Sequence, residues 1–168
     1  MFENVEDGRG TDFGSEVHDF AENYAEGRPV TPEGDDQRAV AALIDSLEGT
    51  LRTEESVYLP VTVGGERVTI SGVVDLVHVT DERVEIIDYK TDKTRHAEDE
   101  YRKQLSVYYH VVRDAYPDRE VTAALFYTDT DRLQPIDPLT LSAIEDLVDL
   151  TVREETPEAL ESSATEGI

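Results

Sequence analysis

Hydrophobic positions along the chain recur with two different periods. Phe13, Val17, Phe20 and Tyr24 are spaced four, three and four apart, which places them on one face of a helix over residues 12–26. The breaker stretch GRPVTPEG follows. A second helix is expected beyond it, with Val40, Leu43, Ile44, Leu47 and Leu51 as its stripe and Gly49 near its end. The pattern then becomes that of β-strands over about 55–63, 67–79 and 83–90. It returns to helical from about 97 to 115, where Tyr101, Leu105, Tyr108, Tyr109 and Val112 keep register and Pro117 stands just past the end. EVTAALFY, 120–127, reads as another strand. Asp137 and Pro138 read as the N-cap and first residue of a last helix reaching about 154. The order ααβββαβα predicts an α/β fold, a mixed central β-sheet flanked by helices. Residues 1–155 are expected to form a single domain and 156–168 a flexible acidic tail.

Composition narrows this picture. A chain of 168 residues, 38% of them hydrophobic, can bury a core. Its formal net charge is -24, and its 39 acidic residues are spread over nearly every segment. That spread suits a solvated surface better than an acidic binding tail, and it points to a halophilic protein of the cytoplasm. In concentrated salt, with a Debye length of about 3 Å at 1 M, self-repulsion is screened, and so is attraction to phosphate. Cysteine is absent, which excludes disulfides, thiolate zinc sites and cysteine-ligated iron–sulfur clusters. No apolar run approaches the roughly 20 residues of a membrane span, so no membrane partner is expected. There is no GxxxxGK[ST] loop, hence no ATP-driven motor within the chain.

Two polar positions interrupt the strands. In GVVDLVHVTDERVEIIDYKTDK, residues 72–93, Asp75 and Asp88 stand where a strand normally carries apolar side chains. If the strands form a hairpin centred between Asp81 and Glu82, facing residues have numbers adding to 163, and Asp75 faces Asp88. Directly opposed Cβ atoms lie about 4.5–5.5 Å apart, and like charges there repel. Val73, Val74, Leu76, Val77, Val84, Ile86 and Ile87 make both strands apolar on both faces, as interior strands are. Two carboxylates in such a setting need a proton or a cation between them, and hard Mg²⁺ or Mn²⁺ suits carboxylate oxygens. Lys90, two residues after Asp88, projects to the same side and brings an ammonium. Gly72 leaves room for a backbone or ligand to approach. Together these features suit an oxyanion substrate.

The segments Gly72-Val73-Val74-Asp75, Ile86-Ile87-Asp88-Tyr89-Lys90-Thr91 and Gln104-Leu105-Ser106-Val107-Tyr108 resemble the GxxD, (D/E)xK and QxxxY motifs of PD-(D/E)xK nucleases. The match is best to the RecB-like branch, which includes the nuclease domains of RecB- and AddA-type helicase–nucleases. Gly14 to His18 resembles that branch's Gly-x-x-x-His context. The resemblance implies a Mg²⁺- or Mn²⁺-dependent deoxyribonuclease, of exonuclease type, acting in DNA repair or recombination, alone or beside a helicase. It further implies that His18, Asp75, Asp88 and the Tyr89 backbone carbonyl hold one or two metal ions. Catalysis would fall to Asp75, Asp88 and Lys90. Gln104 and Tyr108, four apart on a helix, would face the substrate; the alternative for Tyr108 is a plain core position, since it also fits the apolar stripe. Glu55 resembles an acidic residue often found ahead of the first strand. Iron–sulfur relatives of the branch are excluded by the missing cysteines.

Charge is consistent with a DNA partner in one place. Lys90, Lys93, Arg95, Arg102 and Lys103 are 5 of the 15 basic residues and include all three lysines. They form the expected phosphate-facing side, although Asp92, Glu98, Asp99 and Glu100 lie among them. His78, His96 and His110 match no motif. Two other readings share these residues: a catalytically silent DNA-binding or scaffold module of the same fold, and an acidic interaction protein whose aspartates bind a structural cation.

Overall fold

The computed structural model describes residues 11–155. They run as α1 (Thr11–Ala25), α2 (Asp35–Asp45), β1 (Thr50–Val63), β2 (Glu66–Val79), β3 (Arg83–Lys90), α3 (Glu98–Ala115), β4 (Glu120–Tyr127), β5 (Arg132–Pro135) and α4 (Leu141–Glu155). The expected tail lies outside the described residues. The strands form one mixed sheet in the order β1-β2-β3-β4-β5. Among the described strands only β3 and β4 pair parallel, and α3 makes the crossover between them. No helix among the described residues is long and apolar enough to cross a membrane.

Alternation along the strands feeds two helical layers. Val84 and Ile86 of β3, with Ala123, Leu125 and Tyr127 of β4, face α3 and α4, where Leu105, Tyr108, Val112 and Ile144 meet them. Ile87, Tyr89 and Phe126 face the other way, onto Val17, Phe20, Val40 and Ile44 of α1 and α2. The central strand β3 is therefore buried on both sides. The long β1–β2 hairpin behaves differently at its two ends. Val57, Leu59, Val61 and Val74 face the α3 layer, whereas Leu51 and Leu76 face the α1–α2 layer. Both strands thus change faces between Leu76 and Val74 and between Leu51 and Val57. The ladder skips Glu54 opposite Asp75 there, and Glu54 takes a left-handed backbone, φ 49°.

Three expectations are corrected. The second helix ends at Asp45, not near Gly49: Gly49 has φ 112°, and Leu51 belongs to β1, paired with His78. Leu47 and Leu51 still pack on the α2 core, so the stripe is real in space although the helix has stopped. The last helix begins at Leu141, not after Asp137, and the Thr140 hydroxyl accepts the Ala143 N–H at 3.1 Å. Side chains of α3 hold residues 137–139 outside the helix. Arg102 Nε donates to Asp137 O at 2.6 Å, Ser106 Oγ accepts the Leu139 N–H at 2.9 Å, and His110 Nε2 meets Leu139 O at 2.6 Å. Finally, β5 is an additional short edge strand, polar and ending in proline, that carries no alternating signal.

Candidate active site

The hairpin register places the two aspartates side by side. Leu76 pairs with Ile87, Val77 with Ile86 and Val79 with Val84, each adding to 163. The backbone ladder ends at Leu76–Ile87. One step further, the Asp75 carboxylate takes the place of a ladder partner, and Tyr89 N–H donates to its Oδ2 at 2.9 Å. Asp75 and Asp88 come close enough to share a hydrogen bond. Lys90, on the same face of β3, places Nζ 2.9 Å from Asp88 Oδ2.

Helix α1 supplies the fourth group. Val17, Phe20 and Ala21 are buried and fix the helix against the sheet, which leaves His18 on the edge facing β2 and β3. The Gly14 carbonyl lies 2.8 Å from His18 Nδ1 and holds the N–H there. Nε2 is thereby directed at Asp75 Oδ2, 3.1 Å away. The His18 ring also meets the Tyr89 ring edge-on, with centroids 5.9 Å apart. The Tyr89 phenol itself points into the α1–α2 layer, where its hydroxyl is buried without a hydrogen-bond partner among the described residues.

Electrostatics follow from packing charges this tightly. Burial pushes the Asp88 carboxyl up, the Asp75 charge adds to it, and Lys90 offsets only part, leaving it at about 7. Burial also opposes ionisation of Asp75, but the bond and charge of His18 hold it below its ordinary range. Burial opposes charge on His18 in turn, and the Asp75 carboxylate outweighs it, raising the imidazole to about 9. Two cationic side chains thus face a pair of carboxylates, of which Asp88 keeps its proton up to about pH 7.

This donor set fits a hard divalent cation. Among the described residues no three His, Asp or Glu side chains form a ready-made cage. The donors are instead engaged pairwise, His18 with Asp75 and Lys90 with Asp88. Rotating either carboxylate off its partner frees oxygens toward the other, while the Gly14 bond holds one ring proton on Nδ1, so that loss of the second leaves Nε2 as the ligand atom. Since the same atoms hold protons, cation binding must release them. Mn²⁺ affinity is expected to rise as pH increases from about 6 to 9, with net proton release near pH 7.5. Calorimetry in buffers of different ionisation enthalpy measures both.

The remaining expected residues separate into those at the cleft and those away from it. A cavity of about 460 Å³ opens over the site between α1, the end of β3 and α3. Gln104 lines it, with Oε1 3.4 Å from Lys90 Nζ. Tyr108 is buried, and its ring fills the space above Gly72, where a Cβ would lie 2.5 Å from Cε1. The room expected at Gly72 is thus occupied from within. Lys103 pairs with Glu100 at 2.9 Å on the wall of a neighbouring groove of about 790 Å³ that also includes Gln104. Lys93 is exposed in the segment before α3. Arg95 and Arg102 do not reach the cleft. Arg95 lies over the Tyr127 ring at 3.6 Å and bonds Asp129 and Thr130, and Arg102 is turned to Asp137. The expected basic island is therefore divided by which way each side chain leaves the chain. His78 and His96 bond Glu48 O and Thr94 Oγ1, structural roles like that of His110.

Two contributors escaped sequence reasoning. Tyr101 lines the cleft with its ring 4.0 Å from Lys90 Nζ; it lies three residues before Gln104, a spacing that already puts it on the same helix face. Glu54, rather than Glu55, is the acidic residue of β1 near the site: its carboxyl is raised by burial and by the Asp75 charge, while Glu55 pairs with Arg52 at 3.7 Å.

Adjacent central strands of a mixed sheet bring Asp75, Asp88 and Lys90 together in a D…DxK arrangement, with the two carboxylates largely buried behind the His18 and Lys90 side chains that line the cleft. The sequence profile of the PD-(D/E)XK nuclease superfamily matches residues 32–166. The chain belongs to this superfamily, and its fold is restriction-endonuclease-like. His18 lies outside the matched span. No curated protein matches the chain. Among solved structures it is similar to one titled "Crystal structure of SSO0001", at 14% identity and a TM-score of 0.46, over 85% of this chain and 86% of that one.

Proposed function

We propose that this protein is a Mg²⁺- or Mn²⁺-dependent deoxyribonuclease of the RecB-like branch, an exonuclease of DNA repair or recombination that works alone or beside a helicase. The observation that carries the proposal is the cluster of His18, Asp75, Asp88 and Lys90, in contact with one another beside a cleft that His18 and Lys90 line. His18 Nε2, both carboxylates and the Tyr89 carbonyl would hold the ion, which supplies Lewis acidity toward the scissile phosphate and a water acidic enough to give hydroxide near neutral pH.

The chain's own residues do the positioning. Tyr89 N–H fixes the Asp75 carboxylate from the backbone, and Gly14 O fixes the His18 ring. Lys90 Nζ, steadied by Asp88 and Gln104, is placed to donate to a phosphate oxygen or to orient the attacking water. Lys93, exposed before α3, and Lys103, on the wall of the neighbouring groove, would contact phosphates, and DNA would lie along the cleft and the groove, whose walls share Gln104. The net charge of -24 suits a halophilic cytoplasm, where short screening lengths let DNA approach an acidic surface.

Cleavage of labelled DNA in molar KCl with Mn²⁺ tests the reading. Wild type is expected to cut, and Lys90→Ala to fall about a hundredfold or more. End-labelled linear DNA set against covalently closed circles separates attack at ends from internal cutting. Binding without cleavage by wild type would favour a silent module, and neither binding nor cleavage an interaction protein.

A further inference from the structure

We infer that Tyr101 is a positioning residue for Lys90, and that Asp92 is its anchor. The inference rests on the nuclease reading for its functional meaning, but its geometry stands by itself. A lysine ammonium sits on a flexible four-carbon stem with many accessible rotamers. Something must hold it if it is to meet one phosphate oxygen or one water. Asp88 holds Lys90 from one side at 2.9 Å and Gln104 Oε1 from another at 3.4 Å. The Asp88 carboxylate, however, is also the group proposed to turn toward a cation, so its grip on Lys90 is shared. The Tyr101 ring, 4.0 Å from Nζ, is a third support that takes no part in ligation.

A ring can act as a platform only if it is itself fixed. The Tyr101 hydroxyl donates to the Asp92 carboxylate, and Asp92 is almost wholly buried. Asp92 is held in turn through its backbone carbonyl, which accepts from Arg95 Nη1 at 3.1 Å. Arg95 is clamped between the Tyr127 ring and Asp129, 3.3 Å away. The chain of contacts thus runs from the β4–β5 turn through Arg95, Asp92 and Tyr101 to Lys90. It gives Arg95, a residue of the motif segment that does not reach the cleft, a reason to be where it is. It also places an aromatic face, which attracts a cation without competing as a ligand, beneath the one lysine of the site.

Proton NMR of the full chain, which has only three lysines, tests this independently of activity. An ammonium over a ring face puts its neighbouring CH₂ in the shielding cone, so one lysine ε-CH₂ signal, assigned by Lys90→Arg, is expected upfield of the other two. Tyr101→Leu should return it to the common position, and Asp92→Asn and Tyr101→Phe should move it part of the way. In single-turnover cleavage at saturating DNA, Tyr101→Leu is expected to lose about tenfold in rate, and Tyr101→Phe and Asp92→Asn about threefold, with DNA affinity unchanged. A Lys90 signal that coincides with the others in wild type, or that ignores Tyr101→Leu, overturns the inference. So does an unchanged rate in Tyr101→Leu or Tyr101→Phe with lowered stability, since a hydroxyl needed only to satisfy Asp92 would act that way. If wild type cuts no DNA, the nuclease reading fails and the NMR shift alone decides whether Tyr101 holds Lys90.

Discussion

Asp88→Asn is expected to abolish cleavage and yet make the protein more stable above pH 7. Asp88 is buried beside Asp75, and its carboxyl is raised to about 7, against about 3.9 in an unfolded chain. A raised acid stabilises the fold fully only below its unfolded value. That contribution is lost as pH climbs from about 4 through 7, because the native state must then carry a second ionised carboxylate. Asparagine keeps the size and polarity of the side chain and removes that charge. Lys90 loses an ion pair but keeps Gln104 and the Tyr101 ring. At pH 8, with chelator present, the thermal midpoint should rise by about 3 °C or more, on the order of 1 kcal/mol. Cleavage should fall at least about a thousandfold. An aspartate kept for structure predicts the reverse, a lower midpoint with cleavage retained. Stability given up to hold charges at a site is characteristic of function.

Gly72→Ala is the second large effect expected, and it acts through packing. A Cβ at position 72 would stand 2.5 Å from Tyr108 Cε1 and 2.9 Å from its hydroxyl oxygen. Tyr108 is buried between the sheet and α3 and cannot simply swing out. Either the ring or β2 must move, at about 1–3 kcal/mol, which lowers the midpoint by roughly 3–10 °C for a chain of this size. Gly72 lies three residues before Asp75, and Tyr108 one turn after Gln104, so the shift reaches both sides of the cleft and should slow cleavage about tenfold or more. Tyr108→Leu in the same molecule opens the space again. The double variant should therefore be destabilised by less than the two single effects added together, a coupling read from denaturant titrations. Simple additivity would show that the contact between Gly72 and Tyr108 does not govern this region.

Much of this architecture was legible because burial leaves a two-sided signature in sequence. β3 and β4 begin and end where their apolar runs do, at 83–90 and 120–127, since both faces of the sheet are covered there. The Asp75–Asp88 juxtaposition followed from a hairpin whose turn residues fix its centre. What was misread has a common cause, in that one-dimensional spacing cannot say where a side chain points once the chain turns. Leu47 and Leu51 continued the stripe of α2 and do reach its core, but from a turn and a strand. Asp137-Pro138 offers a sound local cap, and bonds from Arg102 and Ser106 override it. Arg95 and Arg102 sit among the motif residues in sequence, but their guanidinium groups leave in other directions. The change of faces at Glu54, with φ 49°, brings Glu54 rather than Glu55 near the site. No periodic rule announces such a switch.

The most direct test of the shared site is Mn²⁺ binding followed by electron paramagnetic resonance in molar KCl, where loose counterions on the acidic surface are displaced. Wild type is expected to retain one or two tightly bound ions per chain, and Asp75→Ala and Asp88→Ala should each lose the tight class entirely. Tight Mn²⁺ binding that survives both substitutions would contradict a cation held between these two carboxylates.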